Sequence, residues 1–240
     1  MIIAIEGNIG TGKSTLVDIL KQEFGKNKHF IFVQEPVNQW LKLVDENGVN
    51  ILENFYKDKV RWGYSFQMNA FITRVKSISD LDREKNIIIV ERSVYSDRNV
   101  FAKLLKEEKY MSNLEWQLYD QWYEWLTEHF NILPDKFIYL EALPETSYNR
   151  MKLRARNEED IVPLEYIKKV YEKHNEWLLN NNNTISINVD SDFVNDLNFR
   201  KKVISIFKKI FSTKNKQVKE YVDGSETAPA FLHVEGQVKG

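Results

Sequence analysis

Apolar positions fall along this chain in two rhythms. Short runs rich in β-branched residues, at 1–6, 30–35, 87–91, 137–141 and 184–189, read as strands. Three of them, Ile2-Ile3-Ala4-Ile5, Ile87-Ile88-Ile89-Val90 and Phe137-Ile138-Tyr139-Leu140, are apolar at every position and do not alternate. A strand with no polar side is buried on both, the condition of a parallel sheet covered by helices. The stretches between, at 14–24, 51–81, 94–106, 113–128, 144–154, 164–179 and 196–211, read as helices. This alternation predicts an α/β fold: a five-stranded parallel sheet flanked by helices on both faces.

At 240 residues the chain fits one domain, expected over 1–215, and it contains no repeat and no clear linker. The polar run 180–183 ends a helix ahead of the last strand. The Asn-x-Thr sequon it creates at Asn182 reads as a chance occurrence in a cytosolic protein. Residues 216–240, which lose periodicity from about Asp223, are expected to form a flexible tail with no assigned function.

Composition removes several function classes. A net charge of −1 supplies no general basic surplus, so a nucleic-acid polymer is not the expected partner. The chain has no cysteine, which excludes disulfides, zinc-thiolate sites and thiol nucleophiles. No apolar run approaches the ~20 residues needed to span a bilayer, so no membrane partner is expected. Met1-Ile2-Ile3-Ala4-Ile5-Glu6 runs directly into a strand without a leader signature, and the cytoplasm is the expected compartment.

The most specific segment is Gly7-Asn8-Ile9-Gly10-Thr11-Gly12-Lys13-Ser14-Thr15, which matches G-x-x-x-x-G-K-[ST] in full. It follows a buried strand and opens an amphipathic helix. Glycines permit positive φ, so consecutive N–H groups can point into one concavity and hold phosphate oxygens. The helix N-terminus adds partial positive charge. Lys13 is expected to reach the β- and γ-phosphates of ATP, and the Ser14 hydroxyl to ligate Mg²⁺.

No Asn-Lys-x-Asp guanine-reading motif is present. The second strand ends in Gln34-Glu35-Pro36 and the third in Glu91-Arg92-Ser93. In a parallel α/β sheet, ligands gather beyond the carboxyl ends of the strands, so Glu35, Glu91 and Arg92 should face the phosphate loop. One carboxylate can accept a hydroxyl proton, another can hold Mg²⁺, and the arginine can stabilise transferring charge. Arg150, Arg154 and Arg156 follow, the first two four apart on one helix face, and are expected to form an arginine-bearing lid over the phosphates.

Together these residues resemble the deoxyribonucleoside kinase family, in particular its deoxycytidine/deoxyguanosine/deoxyadenosine kinase branch. The likeness runs from Ile2 to about Phe193. It is carried by residues 7–15, Glu35-Pro36-Val37 with Trp40, Tyr56, Phe66-Gln67, Glu91-Arg92-Ser93-Val94-Tyr95-Ser96-Asp97-Arg98, Arg154-Ala155-Arg156-Asn157-Glu158-Glu159 and Pro163-Leu164-Glu165-Tyr166. The resemblance implies a P-loop kinase fold and transfer of the ATP γ-phosphate to the 5′-hydroxyl of a small deoxynucleoside. By the same resemblance Glu35 is the general base, and Arg92 orients it and steadies the transition state. Tyr56 and Glu159 hold the 3′-hydroxyl, while Trp40, Phe66 and Phe101 wall the base. Gln67 reads the base edge with an amide that both donates and accepts. Asp192 and Phe193 resemble the loop that contacts the adenine of ATP.

Arg74 and Asp97 match positions that form a polar pair at the base edge in this branch. Thymidine-preferring relatives carry small apolar residues there, so deoxycytidine and purine deoxynucleosides are expected over thymidine. The segment 79–86 is short, and relatives' longer loop is absent. Pairing of two subunits through the helices at 51–81 and 113–128 is implied as well. Phe55 and Trp62 are expected in the core, and His129 and His174 at the surface or an interface. Two rival readings stand beside this one: a nucleoside monophosphate kinase such as thymidylate kinase, and a non-catalytic nucleotide-binding accessory protein.

Overall fold

The five expected strands are all present in the computed structural model, which describes residues 1–191 and 195–212. They are β1 (Ile2–Gly7), β2 (Phe30–Val33), β3 (Ile87–Glu91), β4 (Lys136–Glu141) and β5 (Thr184–Asn188). One sheet holds them in the order β2-β3-β1-β4-β5, and every neighbouring pair is parallel. β1 is central: Ala4 lies opposite Val90 of β3 and Phe137 of β4. Every residue of β1 and of β3 is buried, as their unbroken apolar runs require.

The helices are α1 (Lys13–Phe24), α2 (Val37–Trp40), α3 (Ile51–Lys57), α4 (Lys59–Ile78), α5 (Val94–Ser96), α6 (Lys103–Glu107), α7 (Asn113–His129), α8 (Pro144–Arg154), α9 (Leu164–Leu178) and α10 (Leu197–Ser212). Met1–Leu197 form one compact unit and a second begins at Asn198. On one face of the sheet, alternate residues (Ile2 and Ala4, Ile88 and Val90, Phe137 and Tyr139) join a core with Phe71 and Val75 of α4 and Tyr119 of α7. Among the described residues, no helix is long and apolar enough to cross a membrane.

Three departures from the sequence pattern shape the site. The helix expected over 51–81 is two helices broken at Asp58. Its N–H closes α3 on Asn54 O at 2.9 Å, and its carboxylate opens α4 by accepting from Arg61 N at 3.0 Å. A short acidic side chain competes with the backbone ladder and wins here. The helix expected over 94–106 holds a wider π-helical turn, Asp97–Ala102, between α5 and α6. β2 stops at Val33, so Glu35 stands on the loop that leads through Pro36 into α2.

Candidate active site

The phosphate loop begins where β1 ends. Gly7, Gly10 and Gly12 have φ of 147°, 84° and 89°, a region that glycine alone enters without strain. A Cβ on Gly7 would lie 2.7 Å from Leu140 O of β4, so even a methyl group is excluded. Gly12 caps α1 without a side-chain partner for the first turn, which leaves those N–H groups and the helix dipole to an anion. The loop is fastened from outside: Asn8 Nδ2 donates to Ile167 O of α9 at 2.8 Å. Lys13 folds onto the loop, its Nζ donating to Asn8 O at 2.6 Å. Burial, then the neighbouring Arg92, pulls the ammonium down to about 7, although Glu91 and Glu35 oppose the shift.

The strand ends converge as expected. Ser14 Oγ donates to Glu91 Oε1 at 2.6 Å, and Glu35 N donates to Glu91 Oε2 at 3.4 Å. The Glu35 carboxylate, 18% exposed, lies 2.9 Å from Arg74 Nη2 and 3.4 Å from Arg92 Nε. Burial alone would raise its pKa, but Arg92, Arg74 and Lys13 outweigh it and hold the carboxyl at about 2. Arg74 also grips Asp97 through Nε at 2.7 Å and Nη2 at 3.2 Å. Arg74 and Asp97 thus form a polar pair, and it is joined to Glu35 through one guanidinium.

Arg92 sits at φ 62°, unusual for a side chain of its size. The surrounding bonds dictate it: Arg92 N donates to Ile5 O at 3.0 Å, while Ser93 N, Ser93 Oγ and Ser96 Oγ all donate to Glu6 at 2.9, 2.5 and 2.5 Å. Glu6 is fully buried and was not anticipated as a site residue. Burial raises its pKa against those three donors. A charged residue closing an otherwise apolar strand was the available signal.

Lys13, Glu35, Arg74, Arg92 and Asp97 open onto a cleft of about 790 Å³ lined also by Trp40, Tyr56, Phe66, Gln67, Phe101 and Glu159. Trp40 meets Phe66 edge-on at 5.3 Å and donates from Nε1 to Thr73 Oγ1 at 3.0 Å. Phe66 stacks on Phe55 at 4.6 Å. Phe55, expected in the core alone, is both buried and part of the cleft wall. Trp62 packs against the core beneath the Arg61 guanidinium. Gln67 is buried, and among the described residues its Oε1 has no hydrogen-bond partner. Burial pushes the Tyr56 phenol well above its ordinary range, so it stays a neutral donor.

The three arginines differ in what they hold. Arg150 is occupied by backbone, its Nη1 donating to Val189 O at 2.6 Å and its Nη2 to Asp190 O at 3.1 Å. Arg154 Nη2 meets both Glu159 oxygens at 2.6 Å, and Arg156 Nη1 lies 3.6 Å from Glu159 Oε1. All three line the cleft. Asp192 and Phe193 lie outside the described residues, as does 216–240. His129 is exposed, but His174 is not: it is fully buried against Arg92, a correction to the surface placement. Spacing along α9 could have placed it, four residues after buried Val170 and four before buried Leu178.

Comparison with known sequences agrees with this geometry. The deoxynucleoside kinase family pattern matches residues 3–212. A probable deoxycytidine kinase of fowlpox virus is 42% identical over 210 residues, 85% of each chain. Deoxycytidine kinase of Homo sapiens is 40% identical over 208 residues, 78% of each chain. The mitochondrial deoxyguanosine kinase of Xenopus laevis is 33% identical over 223 residues, 81% of this chain and 83% of the relative. With the phosphate loop, the Glu35–Arg92 pair and the aromatic cleft in one crevice beyond the carboxyl ends of the strands, the chain belongs to the deoxynucleoside kinase family.

Proposed function

We propose that the protein transfers the γ-phosphate of ATP to the 5′-hydroxyl of deoxycytidine or a purine deoxynucleoside, with Glu35 as general base. The observation that carries this reading is that Glu35 and Lys13 line one cleft, a carboxylate facing an anion cradle, with aromatic walls beyond. In the free site Arg92 and Arg74 keep Glu35 ionised. Entry of a polyanion offsets those cations and raises Glu35 toward a useful basicity. Arg92 then supports the charge that spreads over the transferred phosphoryl group, and Lys13 follows the phosphate oxygens. Tyr56 and Glu159 are the proposed partners of the 3′-hydroxyl.

Ser14 and Glu91 present a hydroxyl and a carboxylate 2.6 Å apart at the loop. These are hard oxygen donors of the kind Mg²⁺ takes together with substrate phosphates. When bound there, Mg²⁺ supplies charge neutralisation on the phosphate oxygens. Arg154 and Arg156 are proposed to act as a lid, exchanging Glu159 for phosphate. The cytoplasm is the proposed compartment, and a homodimer the proposed assembly.

Base preference follows from Arg74 and Asp97. A buried, paired guanidinium and carboxylate offer hydrogen bonds to an amino-bearing base edge and no apolar niche for a thymine methyl. The buried Gln67 amide, with its free acceptor, suits the same edge. The names of the relatives, deoxycytidine kinase and deoxyguanosine kinase, support the assignment. The test is a panel of the four deoxynucleosides with ATP and Mg²⁺, following ADP release. Deoxycytidine or a purine deoxynucleoside should have the highest kcat/KM; thymidine as the best substrate would sink the pairing argument.

A further inference from the structure

His174 has no exposed surface, and the reaction proposed above leaves it idle. Its Nδ1 lies 2.7 Å from Val170 O, one turn back along α9. A carbonyl only accepts, so Nδ1 carries the proton, and the neutral ring keeps a lone pair on Nε2. That lone pair faces Arg92 Nη1 at 3.4 Å. A guanidinium only donates, so the two groups are complementary in this tautomer. Burial and the Arg92 charge both act against an imidazolium, which would turn N–H against N–H.

The ring itself is held on other sides. It lies parallel to Tyr139 of β4, with ring centres 6.0 Å apart, and the Tyr139 hydroxyl donates to Asn175 Oδ1 at 2.7 Å. Phe101 meets it edge-on at 6.3 Å and also lies 4.9 Å beneath the Arg92 guanidinium. Arg92 thus has Glu35 at Nε, His174 at Nη1 and an aromatic face below. We propose that His174 is a positioning residue for phosphoryl transfer: its bare Nε2 takes one Arg92 N–H and so fixes the guanidinium with its other donors aimed at Glu35 and the cleft. A long side chain tethered only at Nε could pivot, and pre-oriented donors are what stabilise developing charge without reorganisation. Such bonds are commonly long before substrate binds and shorten afterwards. The inference rests on the reading of Arg92 given above.

Two substitutions separate positioning from packing. His174→Phe keeps a flat ring against Tyr139 but removes the acceptor, while His174→Gln packs worse and returns an acceptor oxygen near Nε2. Thermal melting, kcat and KM are measured for both, using the deoxynucleoside that turns over fastest in the panel. His174→Phe should lose about 10- to 100-fold in kcat, less than the roughly 100- to 1,000-fold of a donor removed outright, with both KM values little changed. His174→Gln should recover most of that loss in spite of a lower Tm. A packing role predicts the reverse order, and His174→Phe with near-normal kcat, or Gln no better than Phe, overturns the proposal. Should the Phe variant not fold, nitrogen NMR of the wild-type imidazole decides: Nδ1 protonated and Nε2 bare at neutral pH supports the proposal, and a protonated Nε2 refutes it. Glu35→Ala, assayed alongside, should lose ~100-fold or more in turnover. If Glu35→Ala remains active, the reaction reading itself falls; if it is crippled while His174→Phe is not, only the histidine inference falls.

Discussion

Lys13 shows what burying an ammonium costs this fold. Its ammonium is buried beside Arg92, and its pKa falls from 10.5 to about 7. Below about pH 7 the charge is present in folded and unfolded chains alike, and the full cost of burying it is borne. Between about 7 and 10.5 the folded protein has released the proton while the unfolded chain still holds it, so wild-type stability rises with pH. Lys13→Met should therefore stabilise the ligand-free protein by on the order of 2–4 kcal/mol near pH 6. The gain should shrink steadily toward pH 10, while activity is lost throughout. Chemical denaturation of both proteins across that range is the measurement; a variant less stable at pH 6 contradicts the argument.

At the level of elements, the break at Asp58 sets where Tyr56 and Phe66 stand, one on α3 and the other on α4. Asp58→Ala removes the acceptor for Arg61 N and should cost about 1 kcal/mol, as loss of a side-chain N-cap does. A destabilisation seen in urea midpoints, with unchanged slope, checks it. The position of this break explains what the amino-acid pattern could and could not show. Ile2-Ile3-Ala4-Ile5 and Ile87-Ile88-Ile89-Val90 were legible because burial on both faces leaves no polar residue in the run. The phosphate loop and Glu35, Glu91 and Arg92 were legible because a parallel sheet brings its carboxyl ends together. The split at Asp58 was not, since it depends on a side-chain carboxylate outcompeting the backbone ladder, and the π turn was not, since its residues follow the same apolar rhythm as an α-helix. Glu6 and His174 were missed for a related reason: their partners, Ser93 and Arg92, are 87 and 82 residues away in sequence. Only the folded crossing from β1 and α9 to the turn after β3 joins them.

On the scale of the whole molecule, α7 carries an apolar stripe turned away from its own core. Leu114, Leu118, Trp122 and Trp125 follow helical spacing and are 66%, 39%, 48% and 53% exposed. A contiguous apolar strip of this kind on a charged protein marks an association surface, which supports the proposed homodimer. Trp122→Glu with Trp125→Glu should shift the protein to a monomer in sedimentation at micromolar concentration. A wild-type protein already monomeric there would remove the basis for the dimer.

The π turn at Asp97–Ala102 has a bearing on which changes of length this stretch can absorb. Asp97 and Phe101 stand four apart, about one winding of the turn, and both line the cleft. A π turn spends one residue more on a winding than an α turn does, so loss of a single residue from 98–100 restores ordinary helical winding and leaves the segments on either side close to their present orientation. A deletion at that surplus position therefore spares the cleft, and changes in its shape have to come from the wall-forming side chains themselves.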